Sequence, residues 1–294
     1  MEPRSGRLPT LLVATLATVF VLVIWGGVVR LSGSGLAIPD WPLAEGKLLP
    51  RPHPNVLIEF GHRVIAMLVG FLTIAIAIVV FRSREYRRTL GALTVAALIT
   101  LVLQIFMGGR VVLEELPVDR VVAHLLLAFT FFAILLLMAL RVTEGEPSPA
   151  PDPRARLLGR FAHLAAGAVF LQAGLGAWVS SSGAALACPD FPTCHGSWLP
   201  PMTGLVGIHY AHRLGAYAIV VLVLGLLVAA APAHLSPRAR WPLRFSGILL
   251  AVQVLLGIAN VVLRVPLPVS VAHLGTALAL FATLLTAAHE LKRA

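Results

Sequence analysis

Eight apolar stretches, at about residues 10–29, 58–81, 89–108, 120–140, 160–178, 206–231, 245–263 and 269–288, leave this chain few folds to adopt. Each is close to the roughly 20 residues a helix needs to cross about 30 Å of hydrocarbon. With 58% hydrophobic and only 12% charged residues among 294, the composition excludes an ordinary soluble domain, in which about a quarter of residues are charged. The expected fold class is an all-α integral membrane protein with eight transmembrane helices. Arg4 and Arg7 precede the first run as they would in a signal peptide. That run is too long for an h-region and no small-residue cleavage site follows, so it reads as a retained anchor.

Lys and Arg in short connections mark the cytoplasmic side. With the N-terminus inside, 15 of the 23 Lys and Arg residues fall in cytoplasmic segments, among them Arg82, Arg84, Arg87, Arg88, Arg154, Arg156, Arg238 and Arg240. Both termini are therefore expected inside. The net charge of +10 reflects this asymmetry and attraction to anionic lipid, not a nucleic-acid partner.

Between the fourth and fifth runs, "TEGEPSPAPDPRAR" (143–156) is rich in proline and lacks apolar periodicity, as a flexible linker does. It separates an N-terminal four-helix half, 1–142, from a C-terminal half, 157–294. The halves align at an offset of 150 through Gly26 and Gly176, Ser32 and Ser182, "PDWP" and "PDFP", and "GHR" 61–63 and "AHR" 211–213. At 149, Gln104 meets Gln253 and "VAHL" 122–125 meets "VAHL" 271–274. An even number of helices per half makes this a parallel duplication, two tandem four-helix bundles related by a pseudo-twofold axis along the membrane normal.

Of ten histidines, His62, His124, His212 and His273 lie near the start of even-numbered spans, toward the outer side of the bilayer. Polar side chains at that depth face the bundle interior or a partner, and a functional site is their default reading. Zinc would want three or four ligands, and each half supplies two intramembrane imidazoles. A haem needs two axial ligands on opposite faces, which facing helices of a bundle provide. Each half therefore reads as a haem-sized cleft, with His62 facing His124 and His212 facing His273. Arg63 and Arg213 either pair with haem propionates through forked donors or snorkel to the interface. Glu59, one helical turn before His62, has His209 as its counterpart. It is either a solvated carboxylate or a catalytic one present in one half only. Gln104 and Gln253 suit interhelical or haem-edge hydrogen bonds, or packing alone. The outer-interface tryptophans Trp25, Trp41, Trp178 and Trp198 suit an aromatic belt.

The segments "SGSGLAIPDWPL" (32–43), "EFGHR" (59–63), "CPDFPTC" (188–194) and "HRLGA" (212–216), with "VAHL" in both halves, resemble the haem A synthase family. That family oxidises haem O to haem A for cytochrome oxidase in bacteria and mitochondria. The resemblance spans about residues 10–290. It implies oxidation of one methyl of haem O stepwise to a formyl group. It further implies a resident haem b held by His212 and His273, the substrate haem held by His62 and His124, and Glu59 as an essential glutamate. It places the protein in the bacterial plasma membrane, with haem O, the lipid bilayer, haem O synthase and oxidase assembly factors as partners and self-association left open. Two rival functions keep both histidine pairs: a non-catalytic dihaem b electron-transfer protein, and a haem carrier or assembly factor.

Cys188 and Cys194, the only two cysteines, lie on the outer, oxidising side with a spacing that permits a loop-closing disulfide. A metal site with His195 is the alternative. The first loop has Ile38 and Ala44 instead, an unstapled cover for a haem that must come and go.

Overall fold

The computed structural model describes residues 6–44, 46–144 and 152–293. Its eight long helices are α1 (Arg7–Leu31), α2 (Pro54–Arg82), α3 (Arg84–Leu113), α4 (Val118–Val142), α5 (Pro153–Ser181), α6 (Gly204–Ala230), α7 (Pro237–Val262) and α8 (Leu267–Arg293). All are long and apolar enough to cross a membrane. Among the described residues the only β pairing is two isolated bridges, Ala44 with Lys47 and Cys194 with Ser197. The chain is thus an all-α, eight-span, multi-pass membrane protein.

Every helix begins before its apolar stretch, and all but α6 and α7 also end beyond it, because polar end chemistry sets the boundaries. Pro54, Pro153 and Pro237 begin α2, α5 and α7, where a missing N–H costs nothing. The Ser83, Asp152 and Ser236 side chains accept the backbone N–H groups of Tyr86, Arg154 and Ala239 at 3.3, 2.9 and 3.4 Å, capping α3, α5 and α7. Helix α5 consequently begins inside the stretch expected as linker, of which residues 145–151 lie outside the described residues.

The chain divides into two compact units, Met1–Glu144 and Gly145–Ala294. Within the first, α1 packs on α2 and α4, and α3 packs on the same two, closing a ring of four helices. Within the second, α5 and α7 likewise each pack on α6 and α8.

The tightly packed core of each unit lies at the end away from the histidines. In the first unit Leu8, Leu12 and Val19 of α1 bury against Phe129, Phe132, Leu135 and Met138 of α4, with the Phe20 and Phe132 rings 6.5 Å apart. In the second, Leu158, Ala162, Ala165 and Val169 of α5 meet Leu278, Leu280, Leu284 and Leu291 of α8. By contrast, no residue of α4 before Phe129, and none of α8 before Gly275, is fully buried. The histidine ends are therefore more open. Exposed Phe71, Phe106, Val221, Val228 and Leu255 line the helix exteriors, apolar surface that lipid covers.

Candidate functional site

The four histidines occupy equivalent places, two to three turns from the start of their helices: His62 on α2, His124 on α4, His212 on α6 and His273 on α8. A glycine of the preceding helix seats each ring by its Cε1 edge. A Cβ on Gly26, Gly108, Gly176 or Gly257 would stand 3.1, 3.0, 2.9 or 3.3 Å from the Cε1 of His62, His124, His212 or His273 respectively. Any side chain there would push the ring aside, since real Cβ contacts are seldom so close. Within each unit the paired imidazoles, His62 with His124 and His212 with His273, lie within electrostatic reach of each other.

These positions suit a bis-imidazole group. The Nδ1 atoms of His62, His124 and His273 are buried without a hydrogen-bond partner, a costly state for rings whose only task is packing. They lie at the ends of the units where α4 before Phe129 and α8 before Gly275 have no fully buried residue. Among the described residues no three His, Cys, Asp or Glu side chains come together as a metal-ion cluster. What each half offers is a pair of imidazoles on two of its helices, the donor set of a six-coordinate haem.

Above each pair lies a loop, α1–α2 in the first unit and α5–α6 in the second, and the repeat extends to their backbones. Trp41–Pro42 and Phe191–Pro192 are both cis, and Gly33, Gly46, Gly183 and Gly196 all take left-handed φ between 69° and 79°. One arginine fastens each loop to the helix below. Arg63 Nη1 donates to the carbonyls of Asp40 and Leu43 at 3.0 and 2.9 Å, and Nη2 to Ile38 O at 3.0 Å. Arg213 donates from Nη1 to Thr193 O at 2.7 Å and from Nη2 to Cys188 O at 2.8 Å. The forks, for which propionates and the interface were both open from sequence, bond loop carbonyls. Arg213 keeps a buried Nε–H without a partner, and its guanidinium lies 5.8 Å from the Phe191 ring.

The loops differ in what closes them. Cys188 and Cys194 form a disulfide, which removes the thiols from any metal site. The bridge is fully buried against Tyr210 and Val206, and the Tyr210 hydroxyl donates to Trp198 O. In the first unit Ile38 and Ala44 bury in its place against Val56, with Phe60 where Tyr210 would stand. The apolar pair fills the space and the missing hydroxyl leaves one tie fewer. Asp190 accepts from Thr193 Oγ1 at 2.5 Å, His195 N at 2.6 Å and Gly196 N at 2.9 Å; led by the Thr193 bond and the Gly196 N–H, these hold its carboxyl well below the usual range. Asp40 accepts from Gly46 N at 2.8 Å. The Trp41 ring, assigned no chemistry from sequence, packs against α3: a Cβ on Gly109 would stand 3.0 Å from it.

Glu59 is the one acidic side chain that is buried among the described residues, 3% exposed. It is not solvated. Its Oε1 accepts from Arg63 Nη2 at 2.7 Å and its Oε2 from Ile38 N at 2.8 Å. At the corresponding place His209 donates from Nδ1 to Ala184 O, 2.9 Å away. The first half buries a carboxyl group beside its histidine where the second buries an imidazole.

The glutamines also reach the rings. Gln104 Nε2 lies 3.4 Å from His124 Nε2, and Gln253 Nε2 lies 3.2 Å from His273 Nε2. A third, Gln172 of α5, lies 3.0 Å from His212 Nδ1 and donates to His212 O at 2.6 Å. Sequence reasoning missed it. The available signal was a Gln-x-x-x-Gly pattern on α3, α5 and α7, which ends each time on the glycine that seats the histidine.

The sequence is similar to that of proteins of one known family. The family model of the COX15-CtaA cytochrome oxidase assembly proteins matches residues 9–57 and 51–285. The chain is 34% identical to a heme A synthase of Symbiobacterium thermophilum, over 72% of each chain. It is 28% identical to that of Alkalihalophilus pseudofirmus over 91% of each, and 30% identical to that of Shewanella oneidensis over 95% of each.

Proposed function

The chain belongs to the COX15-CtaA family of cytochrome oxidase assembly proteins, and from that premise we propose how this eight-span haem A synthase, an oxidoreductase converting haem O to haem A, divides its work between two halves. Haem O is the substrate of the first half, held between His62 and His124. Haem b resides in the second, held by His212 and His273. The observation that carries this reading is a difference within a repeat: equivalent histidine pairs on equivalent glycine seats, with a buried carboxylate in one half only.

When bound, haem b supplies one-electron redox chemistry, whose poise the ligands and burial set. Residues of the first half do the rest. His62 and His124 fix the position of the substrate's iron, and Gly26 and Gly108 fix the rings. Glu59 lies one turn from His62, so its carboxylate stands beside the substrate's edge. Arg63 and the Ile38 N–H orient it and leave each oxygen a further lone pair. There it would accept a proton from the substrate's edge and stabilise positive charge that develops nearby. Arg63 acts by pinning the loop over the site. Arg213 does the same in the second half and keeps its Nε–H for a propionate.

Both termini face the cytoplasm and both histidine pairs lie toward the outer face, an orientation supported by the 15 of 23 basic residues on the inner side. The disulfide then sits on the oxidising side, where such bonds persist. Haem O synthase is the partner that supplies substrate.

Pigments extracted from membranes that co-express a haem O synthase test the reading. The wild type yields haem A, and Glu59→Gln yields haem O with at least about a hundredfold less product, the scale of a lost proton-transfer group. Normal haem A in Glu59→Gln would remove the carboxylate from the chemistry. Unmodified haem alone in the wild type, with a bis-histidine spectrum, would favour an electron-transfer or carrier protein.

A further inference from the structure

Comparison of the halves isolates one difference at the first histidine of each pair. The second histidines are matched: His124 has Gln104 and Gly108, and His273 has Gln253 and Gly257. The first histidines are not. His212 has Gln172 against its Nδ1 and Gly176 as its seat. His62 keeps the seat, Gly26, but Leu22 stands where Gln172 would be. Among the described residues, His62 alone of the four has no glutamine amide against its ring, and its Nδ1 is buried without a partner.

A second substitution accompanies the first. Gln172 lies so close to α6 that a Cβ at position 215 would stand 2.2 Å from its Oε1. Only glycine admits the amide there, and residue 215 is Gly. The corresponding residue of α2 is Ile65. The second half has Gln with the Gly that makes room for it; the first has Leu with Ile, which fill the same space without a polar atom.

The physical consequence is a difference in how firmly two ligands are held. A polar partner against an imidazole fixes the orientation of the ring, and so where its nitrogens point. Gln172 bonds both the ring and the backbone carbonyl of His212, so the ring cannot turn without breaking the amide's contacts. Nothing equivalent opposes rotation of His62 away from its iron.

We infer that Leu22 and Ile65 make His62 the releasing ligand through which haem leaves and arrives in the first half, while Gln172 and Gly215 make His212 a permanent one. This rests on the division of haems proposed above. Gln172 and Leu22 act through the histidines, as positioning residues, and set residence time.

The test uses purified holoprotein in detergent with excess apomyoglobin as acceptor, each transferred haem identified by extraction and mass. In the wild type the farnesylated haem transfers faster than haem b. Gln172→Leu speeds loss of haem b by about tenfold or more, the usual cost of deleting a partner that orients a ligand. It shifts the haem b midpoint potential and leaves farnesylated-haem transfer unchanged. Leu22→Gln/Ile65→Gly slows farnesylated-haem transfer by a similar factor and lowers kcat with KM unchanged or lower. Equal transfer rates for the two haems of the wild type, or a Gln172→Leu protein with wild-type haem b loss and potential, would overturn the inference even if the double variant fails to fold. Failure of the underlying division looks different: wild-type protein without farnesylated haem, and a His62→Ala variant unchanged in pigment and product.

Discussion

The loop over α5 and α6 is fastened at more points than its counterpart over α1 and α2. Both have the arginine clamp, the cis proline, the left-handed glycines and an aspartate turn. Among the described residues, only the second adds a buried disulfide and a tyrosine hydroxyl, that of Tyr210, bonded to the loop. Beneath it Gln172 grips His212. The first loop rests on Ile38, Ala44 and Phe60 and its histidine on glycine alone. The repeat gives two similar sites, and the residue differences between them fit the proposed contrast between a retentive and a permissive half. Glu59, which stands where the second half has His209, is also the group suited to chemistry.

The comparison breaks most sharply at the ligands. His212→Ala or His273→Ala removes haem b and abolishes haem A formation, whereas His62→Ala or His124→Ala abolishes product and leaves haem b in place; absorption spectra and extracted pigments read both. A smaller effect follows from the seats. Gly176→Ala puts a methyl 2.9 Å from the His212 ring, an overpacking that costs about 1–3 kcal/mol. Haem b is bound more weakly, and the low-spin spectrum broadens. Gly108→Ala does the same to the substrate haem and spares haem b.

The disulfide contributes less. Closing so short a loop stabilises by about 2 kcal/mol on the chain-entropy model. Cys188→Ser/Cys194→Ser therefore folds, keeps haem b at neutral pH and melts a few degrees lower, as thermal scans in detergent will show. Total loss of haem b would make the bridge part of the site. Asp190 gives the smallest effect. Its depressed carboxyl means that its hold on the loop is fully present above the ordinary carboxylate value and is lost as pH falls through the lowered folded value. Asp190→Asn removes that acid dependence, measured as loop protease sensitivity between pH 6 and pH 2, and changes little at pH 7.

Much of this was legible in the sequence because membrane burial writes in long words. Eight apolar runs gave eight helices, and the 150-residue offset brought matching loops and histidines into register. What escaped was tertiary. For Arg63 and Arg213 the sequence left propionate pairing and interfacial snorkelling both open, and the loop carbonyls they bond came only with the fold. Glycine seats are invisible until two helices meet. Gln172 was hidden by the repeat itself: aligned against the first half it faces Leu22, so it looked like divergence, whereas alignment of odd helices with one another shows the pattern. Glu59 was readable as an asymmetry, but its pairing with Ile38 N came only with the folded loop.

The central claim is that substrate and resident haems occupy different halves. It is tested most directly by the pigments of purified His62→Ala/His124→Ala protein co-expressed with a haem O synthase. The account predicts haem b at wild-type stoichiometry and no haem O or haem A. A double variant that lost haem b and still carried a farnesylated haem would reverse the assignment of the two halves.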